Sequence, residues 1–267
     1  MLTAETIRKR LNEPDRVRTE VLETATSTNT LLKERAMAGE PGGTVLIALE
    51  QTAGRGRRGR SFLSSPGKGL YMSMLLRPGL APEKLMPLTG LAAVAAAEAA
   101  EKVSGTRVGV KWVNDLILNG KKLGGILTEL GVTPGEDTPW AVIGIGVNLG
   151  FTKDEFEAAA LGTVATSFAC EGAAVDPAAL AAALAEAFLA TETALQNGDI
   201  TRYTDAYRAR CVTLGKPVKI LYPAGAREGI ALDIDDAFAL KVLRTDDNTP
   251  DTVFSGEVSV RGYYGYV

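Results

Sequence analysis

The sequence predicts an α+β fold, with a larger domain of helices on a mixed or antiparallel sheet followed by a small all-β module. Three observations predict it. Strand-length apolar runs and Ala-rich helical stretches share the chain as far as about residue 210, but hairpin signals break any strict βαβ alternation. From about Val212 the helical periodicity stops, and short β-rich runs separated by turn residues take over, with a spacing that suits a small barrel or sandwich. Finally, 267 residues at 46% hydrophobic and 23% charged can bury one large or two modest cores. A boundary between Arg210 and Gly215 divides the chain into residues 1–212 and 213–267.

Residues 3–11 read as a short helix ended by Pro14, and residues 17–23 as a strand. Thr26-Ser27-Thr28-Asn29 forms a polar turn whose hydroxyl and amide side chains suit a helix N-cap, with a helix behind it over 31–37. Residues 44–49 are a buried strand, 71–76 another, and 88–103 an Ala-rich helix. Val108, Val110 and Trp112 alternate, which turns Lys111 to the opposite face. Asn119-Gly120 between 116–118 and 123–130 is a strong hairpin signal, and 140–147 is a further apolar strand. Asp176 and Pro177 open a helix that runs to about 195, as N-cap and first helical residue. The second module carries strands over 218–222, 229–234, 240–243 and 258–260.

Composition excludes several chemistries. There is no histidine, so Ser-His-Asp and Cys-His systems, HExxH zinc sites and any histidine base are absent. Cys170 and Cys211 are too few for a thiolate cage or a disulfide framework and read as buried thiols in a reducing compartment. A net charge of -3 gives no bulk attraction to DNA or to an anionic membrane. The first residues are charged throughout, unlike a signal peptide, and the apolar stretch 91–100 is far short of a membrane span, so the expected location is cytoplasmic.

Two concentrations of chemistry remain. Gly54-Arg55-Gly56-Arg57-Arg58-Gly59 fits GxGxxG, but no helix follows to receive a pyrophosphate, so the dinucleotide reading fails. Four arginines in residues 54–60 suit a clamp for phosphate or carboxylate, since arginine gives bidentate donors and glycine lets backbone N–H groups approach. A solvated basic loop and a nucleic-acid loop are the alternatives. Like charges and glycines predict a loop that is mobile until an anion orders it. Lys111-Trp112-Val113-Asn114-Asp115 reads either as a plain strand end or as a phosphate contact by Lys111 with Mg²⁺ held by Asp115. Lys122 precedes Gly124-Gly125, where a ligand can lie on the backbone.

Taken in order, Ser27-Thr28-Asn29, Gln51-x-x-Gly54-Arg55-Gly56-Arg57-Arg58-Gly59-Arg60, Lys111-Trp112-x-Asn114-Asp115, Lys122-Leu123-Gly124-Gly125 and Gly144-x-Gly146-x-Asn148 closely resemble the biotin–protein ligases. The resemblance covers about residues 27–148 and continues more loosely through Ser255–Arg261, which looks like that family's closing strand. It implies a mixed-sheet catalytic domain related to class II aminoacyl-tRNA synthetases, then an SH3-like β-barrel. It also implies ATP and biotin as substrates with Mg²⁺, formation of biotinyl-5′-AMP, and transfer to a lysine of a biotin carboxyl carrier protein or carboxylase domain. A homodimer is a possible assembly.

By resemblance, Ser27, Thr28, Asn29 and Gln51 bind biotin's ureido end, and Arg55, Gly56 and Arg57 close over its chain and carboxylate, with Gly125 also at biotin. Lys122 acts between carboxylate and α-phosphate; Lys111, Arg58 and Arg60 contact phosphates; Asn114, Phe62 and Asn148 serve the nucleotide; and Asp115 meets Mg²⁺. Lys122, Lys111 and Arg57 form the expected catalytic set. Val113 stands where the family more often has proline, Phe62 where tryptophan is usual, and Asp235-Asp236-Ala237-Phe238 lacks an expected turn glycine. Only about 26 residues precede Ser27, too few for a winged helix, so a DNA-binding repressor role is not expected. The competing reading is a lipoate or octanoate ligase, whose loop lacks this Arg-Gly pattern.

Overall fold

The computed structural model describes residues 1–222, 225–254 and 259–262. In chain order the elements are α1 (Ala4–Arg8), β1 (Arg18–Ala25), α2 (Thr28–Met37), β2 (Thr44–Gln51), β3 (Gly69–Leu76), α3 (Leu88–Ser104), β4 (Gly109–Lys111), β5 (Asp115–Leu118), β6 (Lys121–Gly131) and β7 (Trp140–Asn148). They continue with α4 (Lys153–Ala158), α5 (Pro177–Asn197), α6 (Thr201–Arg210), β8 (Pro217–Tyr222), β9 (Gly225–Ile234), β10 (Leu240–Arg244), β11 (Pro250–Val253) and β12 (Ser259–Gly262).

The first seven strands make one sheet in the order β1-β2-β3-β7-β6-β5-β4, with β1 and β2 parallel and all other neighbours antiparallel. The sheet is therefore mixed, as the hairpin signals predicted. Asn119 (φ 48) and Gly120 (φ 78) turn β5 into β6 in the left-handed conformation that a two-residue hairpin needs. The remaining strands form a second, wholly antiparallel sheet, β11-β10-β9-β8-β12. β12 pairs with β8 and includes part of the expected closing strand; residues 255–258 lie outside those described.

Side-chain alternation decides what each face of the large sheet does. Val45, Ile47, Met72, Met74, Ile143 and Ile145 all join the main core, beneath the Ala-rich helices α3 and α5. The opposite residues Leu46, Leu75, Trp140 and Val142 meet Leu32 and Ala36 of α2 in a second, smaller cluster. α5 has the length and apolarity of a membrane span, but just over half of its most apolar window is buried, and it packs on α3 and β3 as a core helix.

Several elements differ from expectation for local reasons. α1 ends three residues early, because Arg10 and Leu11 donate to the carbonyls three positions back, in a tighter turn than an α-helix. α2 starts at Thr28, so Thr28 and Asn29 lie in its first turn rather than before it. α4 and α6 had no apolar stripe to betray them: α4 is only six residues long, with a Thr152/Glu155 capping box. α6 is polar and anchored by Tyr203 and Tyr207. The turn without its glycine is built with Phe238 itself left-handed (φ 60). Its buried ring fits a notch that Gly90 leaves in α3 (a Cβ there would lie 2.2 Å from the ring) and meets Tyr207 edge-on at 5.1 Å.

Candidate active site

Continuing the same alternation, the face covered by α2 runs out of side chains at one end. Gly144 pairs with Ser73 on one side and Leu127 on the other, and Gly146 with Tyr71 and Gly125. The result is a floor of bare backbone. A Cβ on Gly144 would sit 1.9 Å from Asn29 Oδ1, and one on Gly146 2.5 Å from the Phe62 ring, so side chains there would fill the hollow from below. The hollow contains roughly 1050 Å³ of empty space, open solvent at its mouth included.

One end is neutral and hydrogen-bonded to itself. Gln51 Oε1 accepts from the Thr28 backbone N–H (2.9 Å) and hydroxyl (3.2 Å), capping the start of α2 from the end of β2. Its amide donates to Ser64 Oγ at 3.1 Å. Buried Ser73 Oγ lies 2.7 Å from Thr28 Oγ1 and 2.6 Å from Asn29 Oδ1. Asn29 Nδ2 donates to the Leu127 carbonyl (3.0 Å) and to Glu129 (3.1 Å), so both of its amide hydrogens are engaged. Ser27, at the N-cap, makes no capping bond and lines the hollow with its hydroxyl buried.

The Arg-Gly loop forms the outer wall, and it is folded. Phe62 N–H donates to Gly54 O (2.9 Å) and Gly56 N–H to Arg60 O (2.7 Å), with left-handed Arg58 and Gly59 at the tip. Three arginines reach three different walls. Arg55 pairs with Glu129 at 3.1 Å, Arg57 donates to Asn114 Oδ1 at 3.0 Å, and Arg58 reaches the Leu221 carbonyl of β8 at 3.4 Å. Those partners offset part of the repulsion among the arginines. Burial pulls the Arg57 guanidinium below its ordinary value, against the attraction of Asp115; an arginine so shifted remains cationic at neutral pH.

The other end is cationic. Lys122 Nζ lies 2.6 Å from Asp115 Oδ1, and its backbone is pinned to Val164 and Thr166. Lys111, nearly buried, faces the hollow, as alternation with Val110 predicted. Asn114 donates to the Ile126 carbonyl while accepting from Arg57. Trp112 ties this strand end to the second module: its backbone N–H donates to Thr213 Oγ1 (2.9 Å) and its indole N–H to the Phe238 carbonyl (2.8 Å). Among the described residues lining the hollow, Arg55, Arg57, Arg58, Arg60, Lys111 and Lys122 stand against Asp115 as the single acid. In a chain of net charge -3, that concentration marks an anion site.

Comparison with known proteins agrees with this geometry. The model of the Biotin/lipoate A/B protein ligase family matches residues 21–148, and that of the Biotin protein ligase C terminal domain residues 213–261. The biotin–acetyl-CoA-carboxylase ligase of Paracoccus denitrificans is 35% identical over 210 residues, 77% of this chain and 86% of that protein. This chain belongs to the biotin protein ligase family. The bifunctional ligase/repressor BirA of Bacillus spizizenii is 44% identical over 131 residues, 49% of this chain; the match spans only 40% of that relative's length. A solved biotin protein ligase from Aquifex aeolicus, in complex with biotin and ATP, superposes with a TM-score of 0.75 at 25% identity, covering 92% of this chain and 99% of that one.

Against that family, the structure brings every expected site residue to the hollow except one. Asn148 is buried and donates to the Thr166 carbonyl at 2.9 Å, away from the lining. Sequence reasoning missed Ser73 and Glu129, which support the neutral end from β3 and β6. No three-residue metal cluster of acids, cysteines or histidines exists among the described residues. Asp115, already paired with Lys122, cannot cage Mg²⁺ by itself; it fits a Mg²⁺ that arrives with nucleotide phosphates and keeps most of its other ligands.

Proposed function

We propose that this chain activates biotin with ATP as biotinyl-5′-AMP and then transfers the biotinyl group to a lysine of a biotin carboxyl carrier protein or carboxylase domain. The observation that carries the reading is the two-ended hollow: hydroxyl and amide groups at one end, Arg57, Arg58, Arg60, Lys111 and Lys122 around Asp115 at the other, and a glycine floor between. Biotin's neutral ureido head and anionic tail match those ends in that order.

In the first half-reaction a carboxylate oxygen bonds to the α-phosphorus as the bond to the β-phosphate oxygen breaks, releasing pyrophosphate. The carboxylate is already ionised, so no base is required, which suits a chain without histidine. What the step requires is charge stabilisation and alignment. Lys122 serves the reacting carboxylate and α-phosphate, Arg57 holds them from the loop, and Lys111, Arg58 and Arg60 take the remaining phosphates. Ser27, Thr28, Asn29 and Gln51 serve the ureido end; Arg55, Gly56 and Gly125 line the chain, and Phe62 and Asn114 serve the nucleotide. Asn148 reaches adenine only if its bond to Thr166 gives way. Mg²⁺, when bound with ATP, screens phosphate charge, with Asp115 as its protein ligand. In the second half-reaction the carrier lysine amine attacks the acyl carbon, AMP departs and the amine loses a proton.

The same reading makes the five-stranded sheet an SH3-like barrel that supports the ATP side and docks the carrier, and relates the large sheet to class II aminoacyl-tRNA synthetases. It divides the chain at residues 212/213, locates it in the cytoplasm, and admits a homodimer. ATP–pyrophosphate exchange tests the chemistry. Exchange that requires biotin is expected; exchange supported by lipoate instead favours the lipoate ligase, and exchange with neither overturns both.

A further inference from the structure

We propose that Glu129 is a positioning residue that tethers the Arg-Gly loop to the biotin end of the cleft and so retains the activated intermediate. The inference rests on the adenylation reading above. Gly125, Leu127 and Glu129 alternate along β6 toward one face, so the carboxylate stands two steps beyond the glycine floor. Three donors from two other parts of the chain converge on it. Lys33 Nζ reaches Oε1 at 2.6 Å, while Asn29 Nδ2 and Arg55 Nη1 both reach Oε2 at 3.1 Å. One side chain thus joins α2, the sheet and the first arginine of the loop.

The three loop contacts are not equivalent. Arg57 reaches Asn114 at the cationic end and Arg58 the Leu221 carbonyl of β8, whereas Arg55 pairs with a carboxylate beside the biotin end. Arg55 is 43% exposed and Glu129 17%, so the pair is weak enough to open when product leaves. Lys33 gives Glu129 a second counter-ion, so the carboxylate is not stranded when Arg55 swings away. Although burial opposes its ionisation, hydrogen bonds from Lys33 and Asn29 hold the Glu129 carboxyl below the usual range, and it stays charged at neutral pH. A tether with a standing second partner can release without unbuilding the ureido end.

Glu129→Gln in the full chain keeps an acceptor for Asn29 and removes the charge. After single-turnover formation of adenylate from biotin and ATP, its release rate should rise about five-fold relative to its formation rate, the effect of one partly exposed ion pair. Non-carrier lysines should become labelled in proportion. Arg55→Gln should do the same, and the double variant should be no worse than either single. Lys33→Gln, which leaves the tether, should retain adenylate as the wild type does. Unchanged release in Glu129→Gln overturns the tether, and so do multiplicative effects in the double variant. If Glu129→Gln does not fold, the contrast between Arg55→Gln and Lys33→Gln decides alone. A wild type that forms no adenylate overturns the underlying reading instead.

Discussion

The two ends of the cleft are built on different principles. At the neutral end, Thr28, Asn29, Gln51 and Ser73 bond to one another and to backbone, so their geometry is complete on folding and a ligand borrows what remains. At the cationic end, Arg57, Arg58, Arg60, Lys111 and Lys122 gather around Asp115, an excess of positive charge that an anion can offset. The neutral end is suited to selecting a ligand, and the cationic end to driving and holding its reaction. That asymmetry sets where binding energy goes: affinity and specificity should follow the first, rate and retention the second.

The largest test of that division lies within the cationic end. On the proposed reading Lys122 serves the reacting carboxylate and α-phosphate, so Lys122→Ala should slow adenylate synthesis by about 10²–10³-fold while biotin affinity falls far less. Arg57 sits on the loop and anchors it through Asn114. Arg57→Gly should still make adenylate but release it, labelling bystander lysines. Incubating each variant with a non-carrier protein and blotting for biotin separates them. Full activity in Lys122→Ala, together with strict carrier labelling by Arg57→Gly, would falsify these roles and leave the family untouched.

A smaller effect is expected at the neutral end. Ser73 lies beneath the ligand site, so Ser73→Ala removes no ligand contact but strips a partner from Thr28 and Asn29. Leaving a buried acceptor unsatisfied costs about 1–3 kcal/mol. Biotin binding measured by calorimetry should weaken by roughly ten-fold, within what that energy allows, while the single-turnover rate at saturating biotin stays near wild type. A rate loss without an affinity loss would break the comparison.

How much of this was legible in the sequence follows the same division. The cationic end lies in short continuous boxes, so its residues stand out by spacing, although each box alone left a plain structural reading open. The glycine floor was only half legible. Gly144 and Gly146 stand out by spacing, but their purpose depends on register against Ser73, Tyr71, Leu127 and Gly125, partners far away along the chain. Glu129 was silent, because a lone acid near a strand end reads as a solvated face until Lys33 and Arg55 are brought to it. Phe238 was visible only as a missing glycine. Its positive φ is accepted because the ring gains the Gly90 notch and its carbonyl meets Trp112, and neither partner could be read from the turn.

The smallest expected effect is a dependence on pH that should be absent around neutrality. Glu129 is the titrating group at the neutral end, and its folded pKa lies below its ordinary 4.5. A carboxyl depressed in this way adds stability that is fully present above the unfolded value and is lost as pH falls through the lower folded value. The stability difference between wild type and Glu129→Gln, from urea melts, should therefore be flat from about pH 8 to 6 and shrink only in acid, below the ordinary glutamate value. A difference that instead grew as pH fell would mean that burial outweighs the Lys33 and Asn29 hydrogen bonds. The neutral end would then be held together by an un-ionised acid, and the contrast between the two ends would lose its one charged link.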